Sequence, residues 1–137
     1  MPPDLLDVDH VHVHVRDRVA AEAWYGRVLG LSRVPGLESW AFDDGPLMLG
    51  NPSGSVRLSL FQRPPSPSRS VVAFRVDAEG FVAWRRHLRS AGVGEVETDD
   101  HALSWSLYFA DPDGNPFEVT TYDHDRVAAL LSAGDAS

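Results

Sequence analysis

One order of elements, strand, helix and then three strands, runs twice along this chain of 137 residues, and few folds satisfy it. The first copy opens on His10-Val11-His12-Val13-His14-Val15. Strict alternation puts valines on one face of a strand and histidines on the other. Asp17 stands where a helix cap belongs, and Ala20, Ala21, Ala23, Trp24, Val28 and Leu29 recur at helical spacing before a stop at Gly30. Short strand-like pieces follow between Leu31 and Gln62, broken by Pro35-Gly36, by Asp43 to Pro46 and by Asn51 to Gly54. The last of them, Val56 to Phe61, alternates again.

The pattern then restarts. Val71 to Val76 reads as a strand, and Ala78–Ser90 as a helix with Phe81, Trp84 and Leu88 on one face and Gly92 as its stop. Gly94–Glu97, Ser104–Phe109 and Phe117–Tyr122 read as three more strands, with Asp111 to Asn115 a tight turn. Laying Val15 over Val76 sets the copies about 61 residues apart and brings Gly30 within one residue of Gly92. Between the copies lies a linker, residues 63–70, whose Pro64, Pro65 and Pro67 favour an extended path. A short closing helix is expected over about 125–133, stopped by Gly134. These boundaries predict module one at about 7–62 and module two at about 71–122, within a single domain of the α+β class.

Composition excludes several chemistries. With no cysteine there are no disulfides, zinc-thiolate sites or thiol nucleophiles. All twelve basic residues are arginine, so no lysine is present to form a Schiff base. Twenty acidic residues give a net charge of −8, which disfavours nucleic acid and anionic membrane as partners and suits a cationic or metal-chelating ligand. A solvated acidic surface accounts for the same charge. Met1–Asp9 lacks the apolar run of a signal peptide, and no segment approaches the roughly 20 apolar residues of a membrane span. The expectation is a soluble, cytoplasmic protein.

Asp9-His10-Val11 running to Arg16-Asp17, then Trp24 to Leu31, resembles the opening of glyoxalase, bleomycin-resistance and extradiol-dioxygenase proteins, the vicinal oxygen chelate superfamily. Tyr108 to Glu118, containing Asp111-Pro112-Asp113-Gly114-Asn115, is similar to that family's closing strand. The resemblance covers Asp9 to Tyr122. It implies two βαβββ modules forming a curved mixed sheet around a cavity, helices on the outer face, with a divalent metal held by first and last strands. It also implies His10 as first-strand ligand and Glu118 as last-strand ligand, with Ser59 and Val71 at the two other ligand positions. Glyoxalase I uses four such ligands; dioxygenases and fosfomycin-resistance proteins use three, including a histidine where this chain has Val71. A homodimer is expected by the same analogy.

His12 shares the face of His10, and a His-x-His pair with Glu118 makes a two-histidine, one-carboxylate set suited to iron, manganese or zinc, with nickel a further candidate. Cavity-lining histidines without metal are the alternative. An inward Glu118 costs several kcal/mol unless paired or metal-bound, so ligand or general base is its reading, against an ion pair with Arg75 or Arg57. Those two arginines can instead grip an anionic substrate group. His14 reads as a pocket or core residue, Ser59 as a hydrogen-bonding group, and Trp105 and Trp40 as cavity walls or ordinary core. Ser106 corresponds by resemblance to a serine that contacts phosphonate in fosfomycin-resistance proteins, which also use a lysine absent here. His87 and His124 read as surface groups, and His101 as a solvated loop or lid residue. Three functions are consistent with this pattern. The first is a divalent-metal enzyme acting on vicinal oxygens of a small substrate, with lyase or isomerase chemistry ranked slightly above ring cleavage by a dioxygenase. The second is a metal-free protein sequestering a cationic or aromatic compound, as bleomycin-resistance proteins do. The third is a dimerisation or regulatory module.

Overall fold

In the computed structural model, which describes residues 1–42, 44–64, 66 and 70–133, the chain divides into two compact units, Met1–Ser66 and Pro67–Ser137. Unit one contains β1 (Val11–Val15), α1 (Arg18–Leu29), β2 (Ser32–Arg33), a 3₁₀ turn (Glu38–Ala41), β3 (Leu47–Gly50) and β4 (Arg57–Gln62). Unit two contains β5 (Val72–Arg75), α2 (Ala78–Ser90), β6 (Glu97–Asp100), β7 (Trp105–Ala110), β8 (Pro116–Thr121) and α3 (His124–Ser132). Both sheets are mixed and four-stranded, in the order β1-β4-β3-β2 and β5-β8-β7-β6. The doubled βαβββ pattern and the α+β class are therefore observed.

In each unit the first strand runs parallel to the last, and the remaining pairs are antiparallel. A parallel partner cannot be reached through a hairpin, so a long crossover carrying the helix is obligatory. In unit one Asp17 Oδ1 accepts the backbone N–H groups of Val19 (2.9 Å) and Ala20 (3.2 Å), satisfying donors that α1 cannot satisfy itself. Gly30, at φ 71°, ends α1 in the left-handed conformation, its N–H reaching Gly26 O at 3.2 Å. Helix α1 buries Ala21, Trp24, Tyr25, Val28 and Leu29, and the sheet contributes Val13, Val15, Leu47, Leu49, Leu58 and Leu60 to the core. Unit two repeats the device: Asp77 caps α2 by accepting Gly80 N–H at 2.7 Å, and Phe81, Leu88, Leu107, Phe117, Val119 and Val127 are buried. A Cβ on Gly80 would lie 2.9 Å from Asp77 Oδ1, so a larger residue there would push the capping carboxylate aside.

The structure corrects one strand. β6 is Glu97–Asp100 rather than Gly94–Glu97. Gly92 and Gly94, at φ 70° and 88°, form the turn out of α2, and the acidic stretch after it pairs with β7 as an edge strand. Acidic residues have low strand propensity, but at an edge their charge is solvated and blocks further pairing. The Asp111 turn is as expected: its Oδ1 accepts the N–H groups of Asp113 (2.9 Å) and Asn115 (2.8 Å). The expected stop at Gly134 and the linker residues Pro65, Pro67, Ser68 and Arg69 lie outside the described residues. No described helix is long and apolar enough to cross a membrane.

Core and cap differ in energetic scale. Leu60→Ala, at a fully buried position, should cost roughly 2–5 kcal/mol, and Asp17→Ala about 1 kcal/mol. Urea unfolding of both variants checks this; equal losses would contradict the assigned roles.

Candidate functional site

The polar faces of the two sheets carry the candidate groups. In unit one the valines of β1 are partly or fully buried, whereas His12 and His14 are exposed. His12 is the register partner of Ser59, and His14 of Phe61. Both imidazoles approach the Phe61 ring, His12 tilted at a centroid distance of 4.8 Å and His14 edge-on at 6.3 Å. His10, just before β1, joins this row: its Nε2 is 3.1 Å from His12 Nε2, and its Nδ1 is 2.8 Å from Asp9 Oδ2.

Electrostatics fixes which nitrogen carries the proton. The hydrogen bond from His10 holds the Asp9 carboxyl below its ordinary range, opposed by burial and reinforced by the charges of His10 and Arg57. An ionised Asp9 only accepts, so His10 Nδ1 is the N–H. In the neutral ring Nε2 is then a lone pair directed at His12. Without a cation, His12 Nε2–H completes the chain Asp9–His10–His12. With one, both Nε2 lone pairs can serve it: two metal–nitrogen bonds of about 2.0–2.1 Å, opened by 90–109°, span roughly 2.8–3.4 Å. A carboxylate behind a metal-binding histidine is the usual means of orienting the ring and raising its basicity.

Ser59 is buried, and its hydroxyl donates to Met48 Sδ at 2.6 Å. It therefore offers neither imidazole nor carboxylate at the position where the resemblance places a ligand.

In unit two, Glu118 is half-buried on β8, on the face opposite Phe117 and Val119. Ser106 Oγ donates to Glu118 Oε2 at 2.7 Å and lies 3.2 Å from Thr120 Oγ1, which donates to Trp105 O at 3.0 Å. This line can reverse. A protonated Glu118 would donate to Ser106, whose own proton would then turn to Thr120. Tyr108 and Ala73 flank Glu118 as register partners, and Tyr108 OH is 3.0 Å from His101 Nε2. Arg75 is the register partner of Thr120, and among the described residues no ion pair joins it to Glu118. Val71 is exposed.

Of its two readings, cavity wall or core, Trp105 is found in packing contacts within unit two. It is one residue from Ser106, so the pleat turns it to the other face, where it approaches Phe81 (6.3 Å) and stacks on His124 (5.6 Å). Trp40 is half exposed, within the 3₁₀ turn.

The structure thus groups Asp9, His10 and His12 in one unit, and Ser106, Glu118, Thr120 and Tyr108 in the other. Asp9, Thr120 and Tyr108 are additions. Thr120 and Tyr108 were findable by counting two residues from Glu118 and Ser106; an acid next to a histidine was the signal for Asp9. Among the described residues no group of three or more His, Asp or Glu side chains is gathered for a metal.

His124 is no plain surface group: its Nε2 is 2.6 Å from Asp100 Oδ1, and its carbonyl accepts Trp105 Nε1–H at 3.2 Å. This pair anchors the start of α3 to the β6–β7 hairpin.

A family model described as the Glyoxalase/Bleomycin resistance protein/Dioxygenase superfamily matches residues 7–119. No curated protein matches the sequence. Among solved structures, a glyoxalase family protein from Bacillus anthracis superposes with a TM-score of 0.71 at 23% identity, covering 89% of this chain and 99% of that one. A mutant of the fosfomycin resistance protein FosX from Listeria monocytogenes, complexed with Mn(II) and 1S,2S-dihydroxypropylphosphonic acid, gives a TM-score of 0.69 at 13% identity, covering 90% and 97%. At these identities the likeness is one of fold.

The anchor at α3 has a pH signature. The Ala102 N–H, then His124, lowers the Asp100 pKa from 3.8, and the Asp100 hydrogen bond raises the His124 pKa from 6.5. The Asp100 contribution is present above 3.8 and lost as pH falls through its depressed folded value; the His124 contribution is present below 6.5 and lost as pH rises through its raised one. The pair is therefore fully stabilising between those limits. The difference in urea midpoint between the wild type and His124→Gln should be largest near about pH 5 and shrink by about pH 9. An unchanged difference would contradict the ion pair.

Proposed function

The chain belongs to the Glyoxalase/Bleomycin resistance protein/Dioxygenase superfamily, and from that premise we propose that it is a divalent-metal-dependent enzyme acting on a small substrate with two adjacent oxygens, of lyase or isomerase type. The observation that carries this reading is the Asp9–His10–His12 arrangement, in which an ionised carboxylate fixes one ring and two imidazole nitrogens stand 3.1 Å apart. A hydrogen-bonded histidine pair needs no carboxylate behind it, whereas a ligand pair benefits from one. The proposed roles are His10 and His12 as nitrogen ligands and Glu118 as the carboxylate that completes the set or moves the proton. Nitrogen and oxygen donors together suit zinc, iron, manganese or nickel. When bound, the ion would act as a Lewis acid that stabilises negative charge developing on a substrate oxygen.

The remaining steps belong to the chain's own residues. Glu118 accepts a proton from substrate carbon or oxygen, and the Ser106–Thr120 hydroxyls reorient to stabilise its protonated form, as their spacing allows. Tyr108, flanking Glu118 and itself bonded to His101, supplies a phenol on the same face for a substrate oxygen. Ring cleavage ranks lower, since the histidine that dioxygenases place at the Val71 position is missing. The reading includes a cytoplasmic homodimer.

A second reading rests on a different observation. Glu97, Asp99 and Glu118 share one face of the unit-two sheet with Tyr108, by the pairing of β6, β7 and β8. An acidic face bearing an aromatic ring suits capture of a cationic compound without chemistry, as in bleomycin-resistance proteins.

Elemental analysis of protein purified without chelator separates the two. The enzyme reading expects about one divalent ion per chain, lost equally in His10→Ala and His12→Ala. Asp9→Asn should lower metal affinity roughly 10–100-fold. Retention of metal by His12→Ala would remove His12 from the set. Absence of metal from all preparations, with tight binding of a cationic glycopeptide, would establish the second reading.

A further inference from the structure

Arg57 opens β4, two residues before Ser59 and on the same face. Because Leu58 pairs with Val11, Arg57 stands abreast of His10. Two glycines bracket its side chain. Gly50 is its register partner on β3, where a Cβ would lie 3.5 Å from Arg57 Cγ, an ordinary contact distance, so the arginine stem runs against this strand. At the other end, a Cβ on Gly54 would lie 3.7 Å from Arg57 Nη2. The guanidinium borders two open clefts of about 380 and 350 Å³, the larger also lined by Asp9 and Ser55, the smaller by Asn51 and Ser53.

Among the described residues Arg57, unlike several other arginines of the chain, has no hydrogen-bonding or ion-pair partner. Arg33, Arg63 and Arg126 pair with Glu22, Asp44 and Glu79, and Arg18 donates to the carbonyls of Ala41 and Gly45. Asp9 feels the Arg57 charge through space, but Asp9 Oδ2 is taken by His10. A guanidinium whose stem is positioned by packing while its donors stay open is arranged to receive an acceptor from outside.

We infer that Arg57 is the specificity residue of this site, binding an oxyanion group (carboxylate, phosphate or phosphonate) of a substrate whose other oxygens lie at His10 and His12. This rests on the metal-enzyme reading for the position of those other oxygens, and it narrows the substrate class to small organic acids. The charges add a condition. Asp7 and Asp9 line the same cleft and oppose an anion, so a divalent cation at the histidine pair should tighten oxyanion binding, and the oxyanion should tighten metal binding by the same factor.

The test is calorimetric titration of the full chain with methylphosphonate and, separately, acetate, each with and without Mn(II), alongside titration by Mn(II) alone. At least one anion should bind the wild type, more tightly with Mn(II). Binding should weaken roughly tenfold or more in Arg57→Gln, less in Arg57→Lys, and remain unchanged in Arg126→Gln. The ratio of the two anions tells a tetrahedral from a planar group. Failure of both anions to bind, or equal binding by the wild type and Arg57→Gln, overturns the inference even where Mn(II) binds normally. Arg57-dependent binding in a protein that takes up no Mn(II) keeps the oxyanion site and instead overturns the metal reading. Circular dichroism of Arg57→Lys, which keeps the charge, separates loss of the site from loss of fold.

Discussion

The parallel pairing of first and last strands in each unit is the constraint from which the rest follows. It forces the helical crossover, and hence the buried faces of α1 and α2. It also sets residues far apart in sequence side by side on one polar face: His12 beside Ser59, and Ala73 beside Glu118. In both units it is this register that defines the places where a donor can stand. In unit one the donor is on the first strand and the last carries a serine bonded to Met48; in unit two the donor is on the last strand and the first carries alanine. Each unit, taken by itself, carries its donors on a different strand, nitrogen in unit one and oxygen in unit two.

Polarity is then set by a few short contacts. Asp9 assigns the proton of His10, and His10 presents its free nitrogen to His12. Ser106 gives its only proton to Glu118, and Thr120 gives its own to Trp105 O. Each chain of contacts has one fixed end and one that can reverse. Groups so arranged can accept charge without moving their backbone, a condition for preorganised electrostatic stabilisation.

Much of the architecture was legible in the sequence because it is written in periodicity. The valine–histidine alternation, the capping aspartates and the αL glycines Gly30 and Gly92 all act within a few residues, so local physics decides them. β6 was misplaced because an edge strand of Glu97, Thr98, Asp99 and Asp100 is stabilised by its partner β7 and not by its own propensities. The Asp100–His124 pair, 24 residues apart, left no local signal. At the candidate site, His10, His12 and Glu118 were picked from alternation and resemblance. The same alternation, counted two residues on from Ser106 and Glu118, reaches Tyr108 and Thr120, while the register adds which strand neighbours they face. Residue type left Trp105 open between cavity wall and core, and the pleat sets it against Phe81 and His124.

Arg57 shows why charge totals say little about a site. A chain with net charge −8 should repel anions at long range, yet screening removes such fields beyond about 8 Å at physiological ionic strength. Inside that distance the arrangement of individual groups governs binding. Asp9 holds His10 through Oδ2 and feels Arg57 only through space. On the proposed reading one carboxylate thus orients His10 towards a cation while Arg57 keeps its donors for an anion. A substrate carrying both a chelating oxygen and a negative group would use the two effects together.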